Sequence, residues 1–494
     1  MRVFLTAFFA ITLSACSTLA DRTSDALHAP GVQGVRWGLV VMTMDGRELI
    51  AIRPDERFTP ASNTKIFTAA AAFHRLGDMT QPDPSMGTSV RVVPRDGKAP
   101  DLVLIGGGDA MLIDAADCER DCLSTLADMV VANGVTRIND VIGDDRLYPD
   151  QPWAQGWSWE DLVTRSGAAT SALTVNSNEV GLVVKPGATL GAPADVTWRD
   201  MDVLGGVYPY GLQSDVLTVA TVDDDEDLVG VERLGASSTV RVYGRVAIGA
   251  ALRTIPVAVT SPAEAAARRF EYLLRERGVT IEGAVMTAHR PVELADDPEL
   301  RGGALASFPR REGTEIARLL PPPLIEDVAL IMKQSQNLHA ELLLRRLGLV
   351  EGGGSIEDGL AIIEQMLTDV GVDRAGWDLS DGSGMSIYNR VTPRTVARLL
   401  HWISRQGWAE TFRTTLSVGG VDGTLRRRFA GTPLEARVFA KTGTLNGVNA
   451  LSGFMLTKSG RMLIFSAFAN DRPSKAGSAI AAMDAALVQI SETN

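Results

Sequence analysis

Thr59-Pro60-Ala61-Ser62-Asn63-Thr64-Lys65 opens an apolar, Ala-rich run that ends at Leu76-Gly77. The pattern predicts a helix that starts near Ser62 and stops at Gly77. The three-residue spacing puts the Ser62 hydroxyl and the Lys65 amine on one helical face. A serine hydroxyl is a weak nucleophile until a neighbour takes its proton. A lysine amine can take it only when neutral, and burial beside another cation lowers its pKa toward working pH. The apolar run after Lys65 suits such burial. Upstream, Trp37 to Thr43 and Arg47 to Arg53 are β-rich and flank Asp45-Gly46, a strong hairpin signal.

A Ser-x-x-Lys match alone is expected about once by chance in a chain of this length. Two further motifs give it weight. Ser335-Gln336-Asn337 lies between predicted helices at 324–333 and 337–347. Its hydroxyl could relay a proton between two lysines and a leaving group, and its Asn amide could bind a substrate amide. Lys441-Thr442-Gly443-Thr444 lies at the end of a predicted strand, 437–441. Lys441 is a candidate cation for a carboxylate, with the Thr hydroxyls of Thr442 and Thr444 beside it. Gly443 would let a substrate backbone lie close to the strand. The N–H groups of Thr444 and Ser62 are candidates for an oxyanion hole. The three motifs in this order are the signature of class A β-lactamases and penicillin-binding proteins.

The chain also resembles the low-molecular-mass class C penicillin-binding proteins, peptidase family S13. The stretches that carry the resemblance are Gly106-Gly107-Gly108-Asp109, Trp157-Ser158-Trp159-Glu160-Asp161 and Ser171 to Asn176, then Lys333 to Asn337, Asp381 to Ser386, Gly420 to Leu425 and Ala440 to Leu445. It covers nearly the whole mature chain. Ala110 stands where the family often has Pro, and Gln336 and His339 where Asp and Tyr are common; none of these removes a catalytic group. The resemblance implies a D-alanyl-D-alanine carboxypeptidase or endopeptidase that acts on peptidoglycan stem peptides and is inhibited by β-lactams. Ser62 would form the acyl-enzyme, Lys65 would take its proton, Ser335 would protonate the leaving group, and Lys441 would hold the terminal carboxylate. Asp161 would either meet the amino end of the peptide's third residue or be an exposed loop acid. No metal or cofactor is implied. None of the five histidines has a catalytic setting. The competing expectations are a β-lactamase, which needs fast deacylation, and a catalytically silent scaffold or sensor.

The implied fold is a three-layer α/β/α transpeptidase/β-lactamase-like domain, α+β in class, with an antiparallel sheet. The expected split is 30–83 and 311–494 for the catalytic unit, 84–175 and 261–310 for an insert, and 176–260 for a β-rich domain nested within it. Helices are further expected at 115–133, 355–370, 393–405 and 475–490, and strands at 449–457 and 461–469. Length, 494 residues with 45% hydrophobic, fits roughly two to four packed domains. The 48 Lys and Arg against 60 Asp and Glu give a net charge of −12, which argues against a nucleic-acid partner.

The N-terminus reads as an export address. Arg2 precedes an apolar stretch from Val3 to Leu13, and Leu13-Ser14-Ala15-Cys16 resembles a bacterial lipobox. Residues 1–15 would be removed and Cys16 lipidated, which gives a periplasmic protein anchored to a membrane, the outer one by the Ser17 that follows. Ordinary cleavage near Ala20 is the alternative. Cys118 and Cys122 would sit one turn apart on the predicted helix, within disulfide range in an oxidising compartment; two free thiols are the alternative.

Overall fold

The computed structural model describes residues 19–28, 31–199, 210–221, 229–233, 237–303 and 312–494. The expected signal peptide, Cys16 and the acidic run at 223–227 lie outside the described residues.

The catalytic unit is built on one six-stranded antiparallel sheet. Its strands are β1 (Arg36–Thr43), β2 (Glu48–Ile52), β3 (Ser417–Val418), β4 (Val438–Leu445), β5 (Val448–Leu456) and β6 (Met462–Asn470), in the order β3-β4-β5-β6-β1-β2. Its helices are α1 (Leu19–Leu27), α2 (Thr64–Arg75), α3 (Leu324–Lys333), α4 (Asn337–Gly348), α5 (Ile356–Val370), α6 (Pro393–Ile403), α7 (Ala409–Thr415) and α8 (Ala479–Thr493). Side chains alternate across a strand, and here both faces are apolar. Trp37, Leu39 and Val41 of β1 and Leu463 and Phe465 of β6 pack toward α8. Val40 and Met42, with Ile464 and Phe468, pack toward α2 and the helices from α3 to α7. Burying each such Leu, Ile or Phe contributes about 1.5–3 kcal/mol. Helices on both faces make the three layers that the sequence implied.

The chain leaves this unit after α2. It builds a five-stranded sheet in the order Val285–Arg290, Val141–Pro149, Asp101–Ile105, Ser89–Val93, Thr314–Arg318. Helices Leu123–Ala132 and Pro262–Glu276 cover it. Between Pro149 and Pro262, two three-stranded sheets enclose a core of Leu182, Val240, Val242 and Val257. The chain returns through Thr314–Arg318. That strand pairs with Ser89–Val93, so the exit and return strands of the insert lie side by side. Pro321-Pro322-Pro323 then leads into α3.

The expected helix 115–133 is corrected. Asp121 takes a left-handed φ of +55°, and Ile113 bridges Cys122, so the helix begins only at Leu123. Cys118 and Cys122 are disulfide-bonded with Cα atoms 5.9 Å apart, in a loop and not on a helix. So short a loop is worth about 2 kcal/mol by chain entropy. Reduction should therefore lower the melting temperature by only a few degrees, as calorimetry with thiol counting would measure; loss of the folded state would contradict this.

Candidate active site

A short 3-10 turn, Ala61–Asn63, carries Ser62 into α2. Ala61 has φ +48°, which bends the chain just before the hydroxyl. Two glycines allow this turn to sit where it does. A Cβ on Gly443 of β4 would lie 2.6 Å from the Pro60 oxygen, and one on Gly384 would lie 2.0 Å from the Ala61 oxygen. Gly384 also has φ +88°, a conformation that L side chains rarely adopt. The Asn63 Nδ2 donates to the Lys441 carbonyl at 3.0 Å and ties the turn to β4.

Lys65 is fully buried one turn along. Its Nζ reaches Ser62 Oγ at 3.0 Å, Asn337 Oδ1 at 2.7 Å and the Ser383 carbonyl at 2.6 Å. Burial brings its pKa down to about 7, against the opposing pull of Asp381 and Glu341. A neutral amine keeps two N–H donors and one lone pair. The two carbonyl-type acceptors use the donors, which leaves the lone pair for the Ser62 hydroxyl.

The second motif stands opposite. Ser335 has φ +63° in the link between α3 and α4. Its Oγ accepts from the Lys441 Nζ at 2.8 Å. Lys441 is buried in β4, and burial with the nearby Lys65 charge pushes its ammonium well below the ordinary lysine value. An arriving anion would favour its charged form. Thr442 Oγ1 donates to Thr424 Oγ1 at 2.8 Å. Thr444 is exposed near the end of β4. The strand runs to Leu445, four residues past the expected end, so the whole third motif lies within it.

Asn337 joins the cluster from the start of α4. Both ends of its amide are engaged inside the protein, Oδ1 by Lys65 and Nδ2 by the Ser166 carbonyl at 2.9 Å. It binds the insert to the catalytic unit. Asp161 lies on the same loop as Ser166, in a half-buried 3-10 turn, Asp161–Val163. Burial and Glu160 raise its carboxyl pKa. Its side chain makes no hydrogen bond among the described residues and stands outside the cluster around Ser62. His339 is buried, bonded to Asp327 and, at 3.0 Å, to Ser177.

Sequence reading assigned no role to Glu341, Asp381 or Lys333. Lys333 pairs with Asp422 and donates to the Leu416 carbonyl, which fixes the segment that carries Thr424. Glu341 had a signal: it follows Asn337 by four residues, so an acid lies under the site on a buried helix. Among the described residues no group of His, Cys, Asp and Glu could hold a metal ion.

The geometry predicts a pH dependence. A Ser62 activated by a neutral Lys65 should attack at a rate that rises roughly tenfold per pH unit below about pH 7 and levels off above it. Stopped-flow acylation by a penicillin across pH 5.5–9 measures this; a flat profile would contradict it. Gly384→Ala should displace Ser62 and slow acylation by at least about tenfold, since no side chain fits there.

Comparison with known proteins agrees in fold and sequence. The D-Ala-D-Ala carboxypeptidase 3 (S13) family matches residues 19–491. A D-alanyl-D-alanine carboxypeptidase of Actinomadura sp. (strain R39) is 35% identical over 483 residues, 94% of this chain and 83% of that protein. The D-alanyl-D-alanine carboxypeptidase DacB of Haemophilus influenzae is 26% identical over 457 residues, 89% of this chain and 86% of the relative. The crystal structure of penicillin binding protein 4 (dacB) from Haemophilus influenzae superposes with a TM-score of 0.76 at 24% identity, covering 95% of this chain and 98% of that one. With its sheet, its insert and its three motifs in one cleft, this chain belongs to the D-Ala-D-Ala carboxypeptidase (S13) family.

Proposed function

We propose that this protein is a serine D-alanyl-D-alanine carboxypeptidase, with D,D-endopeptidase activity on cross-linked stem peptides, acting through an acyl-enzyme on Ser62. The observation that carries the reading is the buried Lys65 amine, 3.0 Å from Ser62 Oγ and titrating at about 7. The names of its relatives support the substrate class.

Ser62 Oγ attacks the carbonyl of the penultimate D-Ala while Lys65 takes its proton. The tetrahedral oxygen faces the N–H groups of Ser62 and Thr444. As the C–N bond breaks, the leaving D-Ala amine takes a proton from the Ser335 hydroxyl, which Lys441 replenishes. Lys65 then passes its proton to the Ser335–Lys441 pair, which restores that pair and frees the amine; water attacks the ester and gives its proton to Lys65, which returns it to Ser62 Oγ as the ester C–O bond breaks. The terminal carboxylate sits against Lys441 with the Thr442 and Thr444 hydroxyls. β3 pairs only with Phe439 and Ala440 of β4. Among the described residues the Lys441–Leu445 edge on that side has no strand partner, which suits an extended peptide.

The export signals support a periplasmic enzyme, lipid-anchored through Cys16 to the outer membrane, with soluble release after cleavage near Ala20 as the alternative. Among the described residues no helix is long and apolar enough to cross a membrane.

Incubation with benzylpenicillin, followed by intact mass, tests the reading. A lasting adduct on the wild type that is absent from Ser62→Ala is expected. Rapid drug turnover would favour a β-lactamase, and no adduct on folded protein would favour a silent scaffold. Lys441→Met should lower kcat/KM for D-Ala-D-Ala peptides by roughly 10–100-fold, the worth of one charge-assisted contact. Peptides with an amidated C-terminus should show much less difference between variant and wild type.

A further inference from the structure

The stretch from Asp381 to Ser386 and a polar stripe on α4 are built around the site, yet the chemistry above uses neither. Asn337, Glu341 and Arg345 follow at four-residue intervals and so share one face of α4. Asn337 touches Lys65 directly. Glu341 is buried and accepts from the N–H groups of Gly382 at 3.0 Å and Ser383 at 2.8 Å. Those two donors belong to the turn whose Ser383 carbonyl takes the Lys65 Nζ. Thr68, one turn along α2, donates to the Gly382 carbonyl at 2.8 Å, so the same turn is held from the lysine's own helix. We propose that Glu341 is the positioning residue for Lys65: its carboxylate fixes the Gly382-Ser383 turn that aims the amine at Ser62, and its negative charge sets the pH at which that amine becomes a base. The inference rests on the reading of Lys65 as the base for Ser62.

The charges around Glu341 come from every element packed on it. Arg345 of α4 approaches Glu341 Oε2 at 3.8 Å. Asp381 lies in the turn itself, Lys65 comes from α2, and Lys441 of β4 lies next to Lys65. Behind Arg345 stand Glu357 of α5 and Tyr148 of the insert. Asp381 is committed elsewhere, accepting from Gly384 N, Asn389 Nδ2, Ser386 N and the Trp157 indole. Burial and the Asp381 charge push the Glu341 carboxyl up to about 7, the range to which burial brings Lys65. The two groups therefore compete for a proton over the same interval of pH.

The test is the pH profile of benzylpenicillin acylation in the full chain, for the wild type, Glu341→Gln and Glu341→Asp. Gln keeps an acceptor for the turn and removes the charge. Without that charge the ammonium form of Lys65 is less favoured, so its pKa falls and the acid limb moves to lower pH. At pH 6 the rate relative to plateau should rise about threefold or more. Asp keeps the charge on a shorter stem, so its limb stays near the wild-type position while the plateau falls about tenfold or more as the turn loosens. If Glu341→Gln alone is too unstable with Arg345 left unpaired, Glu341→Gln with Arg345→Met removes both charges of the pair and should move the limb in the same direction but by less, since the more distant Arg345 charge is lost as well. A Gln or double-variant limb that overlays the wild type, with only a lower plateau, would overturn the proposal. Absence of any adduct on the wild type would instead overturn the reading of Ser62 and Lys65.

Discussion

Two lysine side chains are buried side by side, and the structure around them is arranged to keep both there. A pKa brought from the ordinary lysine value to about 7 corresponds to on the order of 5 kcal/mol against the charged form of Lys65. An unpaired ammonium at that depth would be untenable. Lys65 is held by acceptors from α4 and the turn before Gly384 and faces the Ser62 hydroxyl; Lys441 is held by Ser335. Two buried carboxyl groups supply negative charge from behind. The glycines follow from the same constraint, because the turn at Ser62 can press against β4 and the 382–384 turn only where both lack side chains.

The architecture was largely legible in the sequence, for reasons that differ by element. The helix at 324–333 ends between a triple proline and a chain reversal at Ser335, so local signals set its limits. The hairpin around Asp45-Gly46 is equally local. The stretch before Leu123 failed because an Ala-rich composition outweighed one left-handed residue, Asp121, that no periodicity reveals. Thr314–Arg318 belongs to whichever sheet it pairs with, and its pairing with Ser89–Val93 spans more than two hundred positions, which no local signal carries.

The site divides along the same line. Ser62, Lys65, Ser335 and Lys441 come in short motifs whose spacing can be read. The bond from Asn337 to Ser166 of the insert has no counterpart in the motif, because its acceptor is a backbone carbonyl far away in the chain. Glu341 and Asp381 act through backbone N–H groups and through field, which leave no motif. The insert matters more to the site than its β-rich texture suggested. Trp157, Ser166 and Ser177 each bond to a group in the catalytic unit, at Asp381, Asn337 and His339.

The position of β6 in the sheet has a consequence in time. It lies between β1 and β5, and it pairs along its whole length with β1, more than four hundred residues earlier. Until this strand arrives, β1 and β2 cannot join the strand that carries Lys441. Such distant pairings form late. A chain emerging from its N-terminus thus carries Ser62 early, yet the sheet beneath it closes only when β6 is delivered. Chain order itself holds back the joining of the first and third motifs on one finished sheet.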